Sequence, residues 1–202
     1  MSGHHVTRRA MLGSALGAAG AAMLPLRSAQ AFSDGPPSFG TARSQFTILR
    51  PANQAPAAPI LRLDGTSVSF AAFRGKVVLV NFWATWCPAC RLELPTLERL
   101  QQSSGGKDLE VLAVALDREG RTVVAPFLRQ LNIRKLSVYL DPDGRMARNG
   151  DDGRPAAPFQ LYGMPISYVI DPAGRIAGYM TGEADWASDD ALRLLGYYRQ
   201  AG

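Results

Sequence analysis

Residues 76–100 read KVVLVNFWATWCPACRLELPTLERL. Lys76 to Trp83 is a continuous β-branched and aromatic run, which predicts a strand buried on both faces. After Cys87 the spacing becomes helical: Leu92, Leu94, Leu97 and Leu100 are apolar, while Arg91, Glu93, Glu98 and Arg99 are charged. Pro95 should kink that helix, because it lacks an N–H and clashes one turn back. Cys87-Pro88-Ala89-Cys90 therefore sits where a buried strand ends and a long helix begins.

That placement carries chemistry. Free N–H groups and the macrodipole at a helix N-terminus stabilise an anion, so a Cys87 thiolate is favoured there and its pKa should fall below the roughly 8.5 of a free thiol. Cys90, one turn inside, should be shielded. The pair can divide labour, with Cys87 attacking a disulfide and Cys90 resolving the mixed disulfide. Three other uses fit less well. Zinc needs about four N or S ligands, and the only histidines are His4 and His5 near the start of the chain. A c-type haem attachment needs His directly after the second cysteine, where Arg91 stands. A purely structural disulfide closing so short a loop constrains the unfolded chain least.

Working outward, Ile60 to Leu63 and Thr66 to Phe70 alternate around Asp64-Gly65, the pattern of a β-hairpin. Leu109 to Leu116 reads as a second buried strand, Thr122 to Leu131 as a helix and Ser137 to Leu140 as a short strand. Ile166 to Ile170 and Ile176 to Met180 flank Asp171-Pro172-Ala173-Gly174 and predict an antiparallel hairpin. A last helix covers Ser188 to Tyr198, with Ser188 as N-cap and Asp189 and Asp190 in its first turn. Pro165 opens a predicted strand; a cis bond there costs only about 0.5 to 1 kcal/mol, although trans is commoner. The order of elements gives one α/β domain with a mixed sheet.

The start of the chain differs in composition. Thr7-Arg8-Arg9 precedes an Ala, Gly, Leu and Met stretch from Met11 to Leu26, followed by Ala29-Gln30-Ala31. This is the plan of a cleaved signal over residues 1–31, and its paired arginines resemble a twin-arginine signal. An uncleaved anchor facing the periplasm is the alternative, but the apolar stretch falls short of the roughly 20 residues that span a bilayer. Residues 32–59 hold five prolines without a helical or strand period and read as a Pro/Ala-rich linker, leaving residues 60–202 as the folded domain. The formal charge of +5 shrinks to +2 once the leader is set aside. Without a basic cluster interleaved with aromatics, nucleic-acid binding is not expected.

Trp83-Ala84-Thr85-Trp86-Cys87-Pro88-Ala89-Cys90 after a buried strand, with Gly163-Met164-Pro165 ahead of Ile166 to Asp171, resembles the thioredoxin superfamily. Phe73-Arg74-Gly75-Lys76, Val80-Asn81-Phe82-Trp83, Glu93-Leu94-Pro95 and Gly182 to Ser188 are similar to its TlpA/ResA branch of extracytoplasmic thiol-disulfide proteins. The resemblance spans Ile60 to the C-terminus. It implies a thioredoxin fold, with a central mixed sheet flanked by helices and here an N-terminal β-hairpin extension. It also implies a cis-proline at Pro165 facing the dithiol, and a reducing role in the periplasm.

Asn81 stands where cytoplasmic thioredoxins carry a buried Asp. In the TlpA/ResA branch a Glu three residues after the second cysteine is proposed as proton acceptor, which matches Glu93; a solvated helix carboxylate is the simpler reading of that residue. Trp86, Pro88, Ala89 and Met164 are expected to line the substrate groove. No cofactor beyond the redox-active Cys87–Cys90 disulfide and no metal is expected. The partners implied are cysteine-bearing clients, foremost copper-site assembly proteins of cytochrome oxidase, and a membrane thiol donor. The alternatives are reduction of apocytochrome c thiols, general disulfide oxidation, and a Cu(I) metallochaperone using Cys87, Cys90 and Met164.

Overall fold

A computed structural model describes residues 1–3, 35–150 and 153–200. From residue 4 onward, the leader read over residues 1–31 lies outside the described residues. In chain order the elements are β1 (Thr47–Gln54), β2 (Ile60–Arg62), β3 (Ser67–Val68), a short 3-10 helix (Phe70–Phe73), β4 (Val77–Trp83), α1 (Pro88–Ser104) and β5 (Leu109–Ala115). They continue with α2 (Arg121–Gln130), β6 (Ser137–Leu140), β7 (Ala147–Arg148), β8 (Phe159–Gln160), β9 (Ile166–Ile170), β10 (Arg175–Thr181) and α3 (Asp189–Gln200). Eight strands form one mixed sheet in the order β1-β10-β9-β4-β5-β6-β2-β3, while β7 and β8 form a separate parallel pair. Within the large sheet β4 and β6 run parallel to β5, and all other pairings are antiparallel.

Every side chain of β4 is buried. Strand alternation sends successive side chains to opposite faces, and the two cores follow it. Val77, Leu79 and Trp83 join Leu94, Leu97 and Leu100 of α1, whereas Val78, Val80 and Phe82 join Phe70, Phe73 and Phe159. Asn81 therefore faces α1. In β9, Val169 belongs to the α1 side and Ile166, Tyr168 and Ile170 to the other, which puts Ser167 on the same side as Asn81. Two polar side chains thus meet α1 in the middle of an apolar layer. Among the described residues no helix is long and apolar enough to cross a membrane.

Three expectations need correction. The stretch 32–59 is not a linker throughout, because β1 pairs antiparallel with β10 and Phe39 is buried. No alternation marks β1: it is an edge strand with all side chains but Leu49 exposed, and its register shifts between Ile48 and Asn53 around a cis Arg50–Pro51 bond. Proline and irregularity are tolerated at such an edge because the outer N–H row has no partner. Second, the hairpin after Ile60 extends the opposite edge of the sheet, beside β6, and its second arm is short. Ser69 caps a 3-10 helix there, accepting the Ala71 N–H, so Phe70 leaves the strand. Third, the polar and apolar faces of α1 are not the simple pattern expected: Leu92 is exposed, whereas Glu93 and Glu98 are buried.

Glu98 shows why a carboxylate can replace an apolar side chain in that layer. It accepts the backbone N–H groups of Arg134, Lys135 and Leu136 at 2.8 to 3.1 Å and the Gln102 side-chain amide at 2.8 Å. Burial alone would push its carboxyl up, but these donors outweigh burial and hold it below the usual carboxylate range. Glu98 thereby ties α1 to the turn that feeds β6. Glu98→Ala should destabilise the protein by about 2 to 3 kcal/mol, because partly buried N–H groups lose a charged acceptor. Urea unfolding at unchanged m-value would measure this; a loss below about 0.5 kcal/mol would show that water replaces the carboxylate.

Candidate active site

Cys87 and Cys90 form a disulfide across the N-terminus of α1, with Cα atoms 5.3 Å apart. Cys87 is the N-cap: its sulfur accepts the Cys90 N–H at 3.3 Å, and Pro88 occupies the first helical turn, where a missing N–H costs nothing. The turn that delivers Cys87 is fixed from the loop just past β5. Buried Asp117 accepts the Thr85 N–H at 3.1 and 3.2 Å and the Thr85 hydroxyl at 2.6 Å. Both cysteines are buried, Cys90 at 1% exposure and Cys87 at 5%.

Glu93 lies three residues along α1 from Cys90, on the same face of the helix. It is only 1% exposed, which rules out the solvated-surface reading of this residue. Its Oε2 accepts the Asn81 side-chain amide at 2.7 Å, and its Oε1 accepts the Trp186 indole N–H at 2.9 Å and the Ala184 N–H at 3.2 Å. Asn81 also donates to Ser167 Oγ at 2.9 Å. Burial pushes the Glu93 carboxyl up to about 8, against the lowering effect of the donors from Trp186, Asn81 and Ala184. A proton can therefore reside on Glu93 at neutral pH and leave within reach of it, the condition for acid–base work.

The other expected residues separate into two groups. The Met164–Pro165 bond is cis, Pro165 is buried, and Met164 packs partly buried against the α1 core. Met164 lines a groove of about 710 Å³ together with Leu92, Glu93 and the Thr41 to Ser44 segment. Trp86 at 67% exposure and Pro88 stand outside that groove, next to Cys87 in the chain, and Ala89 is half-buried. Asn81, in place of a buried Asp, and Trp186, within Gly182 to Ser188, lie in motifs the sequence singles out, whereas no local signal marks Phe39. Among the described residues no three His, Cys, Asp or Glu side chains gather as they would around a metal ion.

A family model described as the AhpC/TSA family matches residues 51–179. The chain belongs to the AhpC/TSA family. Among relatives, the thiol-disulfide oxidoreductase ResA of Bacillus thuringiensis subsp. konkukian is 28% identical over 130 residues, covering 64% of this chain and 69% of that protein. The thioredoxin-like protein YneN of Bacillus subtilis is 44% identical over 125 residues, covering 61% of this chain and 66% of that protein. A thiol:disulfide interchange protein of the thioredoxin family from Chlorobium tepidum has a structure similar at a TM-score of 0.55 and 29% identity, covering 72% of this chain and 97% of that one. This AhpC/TSA-family chain thus has a thioredoxin fold and is a thiol-disulfide oxidoreductase of the ResA type.

Proposed function

We propose that the protein works outside the cytoplasm as a reductant of paired cysteines in client proteins, foremost those that assemble copper sites of cytochrome oxidase. The observation that carries the proposal is the Cys87–Cys90 disulfide at the N-terminus of α1 with the Glu93 carboxyl buried three residues beyond it. In the reducing direction a Cys87 thiolate attacks one sulfur of the client disulfide, forming a mixed disulfide and releasing the other client sulfur as a thiolate, which takes a proton from water. Glu93 then accepts the Cys90 proton. The Cys90 thiolate attacks Cys87 Sγ, closing the Cys87–Cys90 disulfide and releasing the second client sulfur. Two electrons pass to the client, and a membrane thiol donor must return two to the protein. Met164, ahead of the cis Pro165, offers its backbone to an extended client segment as an added strand.

The paired arginines and Ala29-Gln30-Ala31 of the leader support an extracytoplasmic site, and the similarity to TlpA/ResA proteins supports the client class. A Cys90→Ser variant tests both, since a mixed disulfide at Cys87 then cannot resolve. Expressed with its leader in its own host, it should accumulate covalent adducts with copper-site assembly proteins that thiols release. Adducts with apocytochromes c instead would move the client class. An absence of adducts, with tight Cu(I) binding by the reduced wild type, would replace the reductase reading by a metallochaperone.

A further inference from the structure

We propose that Trp186, held in place by Phe39 and Thr96, is a positioning residue that orients the Glu93 carboxyl so that its Oε2 oxygen, not Oε1, exchanges the proton with the dithiol. The inference rests on the proton-acceptor reading of Glu93 and adds the group that directs it.

The geometry is specific at each oxygen. Glu93 Oε1 receives two donors, the Trp186 indole N–H and the Ala184 N–H, both from the segment between β10 and α3. Both lone pairs of that oxygen are engaged. Oε2 receives only the Asn81 amide, which leaves one lone pair for a proton. An indole N–H is a donor that neither titrates nor accepts. It can therefore stay bonded to Oε1 in both states, as a carboxylate oxygen when Glu93 is ionised and as the carbonyl oxygen when it is protonated. The carboxyl then need not rotate when the proton arrives.

Trp186 is fully buried and anchored at three points. Its backbone N–H donates to Thr96 Oγ1 at 3.3 Å, and that hydroxyl lies 2.8 Å from the Glu93 carbonyl oxygen and 3.2 Å from that of Ala184. Its ring meets Phe39 with centroids 4.9 Å apart and planes at 51°, a tilted contact of the favourable kind. Phe39 comes from the segment ahead of β1. The part of the chain that reads as a linker therefore supplies the ring that packs on Trp186. The groove lined by Thr41 to Ser44, Leu92 and Met164 has Glu93 in its wall.

The charged and titratable groups around Glu93 are few. Glu183 is the charge whose field reaches it and it favours the protonated form; Arg43 and Asp185 line the same groove; Asn81 from β4, Ser167 from β9 and Thr96 from α1 are neutral, and Cys90 lies on its own helix. Removing the indole donor should thus raise the Glu93 midpoint, since the bond favours the ionised form.

Trp186→Phe keeps the aromatic contact with Phe39 and deletes the N–H. In single-turnover resolution followed against pH, the midpoint should move up by about one pH unit, and the rate at neutral pH should fall about three- to tenfold. The carboxyl infrared band of protonated Glu93 should move to higher frequency as its carbonyl loses a donor. Phe39→Ala should shift both readouts in the same direction by less, and Phe39→Leu should restore them; these variants decide the matter should Trp186→Phe not fold. In a Glu93→Gln background, Trp186→Phe should change the pH profile no further. An unmoved band and profile in Trp186→Phe and Phe39→Ala, with Glu93→Gln impaired, would overturn the positioning role. Wild-type kinetics in Glu93→Gln would instead overturn the proton-acceptor reading beneath it.

Discussion

Cys87→Ser is expected to reduce disulfide-reductase turnover to the uncatalysed background, while Cys90→Ser should still complete one attack and stop as a stoichiometric mixed disulfide. The asymmetry follows from where the chain places the two sulfurs. Cys87 caps α1 and accepts the Cys90 N–H, so a negative charge at its sulfur meets the positive end of the helix dipole. A serine hydroxyl at the same place remains protonated near neutral pH and is a far weaker nucleophile. Cys90 lies one turn deeper and is the more buried of the two, so it meets a sulfur already delivered to Cys87 and not one in solution. Reduced variants mixed with a peptide disulfide, quenched by acid and weighed by mass spectrometry would measure both outcomes. Adduct formation by Cys87→Ser but not by Cys90→Ser would reverse the assigned roles.

Much of this arrangement is legible in the sequence, because the decisive elements are the ones with strong local signals. The all-apolar run of β4, the change of period at Cys87 and the turn Asp171-Pro172-Ala173-Gly174 each have one reading, and β4, α1, β9 and β10 follow them within a residue or so. The elements that escape are held by contacts remote in sequence. β1 is recognisable only from its pairing with β10, and β7 and β8 are two-residue strands paired with each other. The face of α1 misleads for a related reason. Periodicity ranks Glu93 and Glu98 as polar, but donors that arrive from Asn81, Trp186, Ala184 and the 134–136 turn make buried carboxylates affordable there. Their burial is written in the partners, which no window along the helix contains.

The Glu93 carboxyl should also show itself in stability, independently of turnover. Its midpoint in the folded protein is about 8, against an ordinary 4.5, so between those values the native state holds a proton that the unfolded chain has released. Stability then falls as pH rises, by about 1.4 kcal/mol per unit in the middle of the range. The stabilisation is complete below the unfolded midpoint and lost as pH passes through the folded one. The total is on the order of 5 kcal/mol as an upper figure. The oxidised protein is the form to measure, because the Cys87–Cys90 disulfide removes both thiols from the titration. Glu93→Gln should abolish most of the slope, since its amide cannot ionise. Asn81 Oδ1, which has no hydrogen-bond partner among the described residues, can accept from that amide if the Asn81 side chain flips. The variant should therefore match the wild type near pH 5 and exceed it near pH 8 by several kcal/mol, roughly the linkage energy it no longer loses. Equal slopes in the two proteins would mean that Glu93 ionises in the fold as it does in water, and a buried carboxylate with three neutral donors would then be a fixed charge without a proton to exchange.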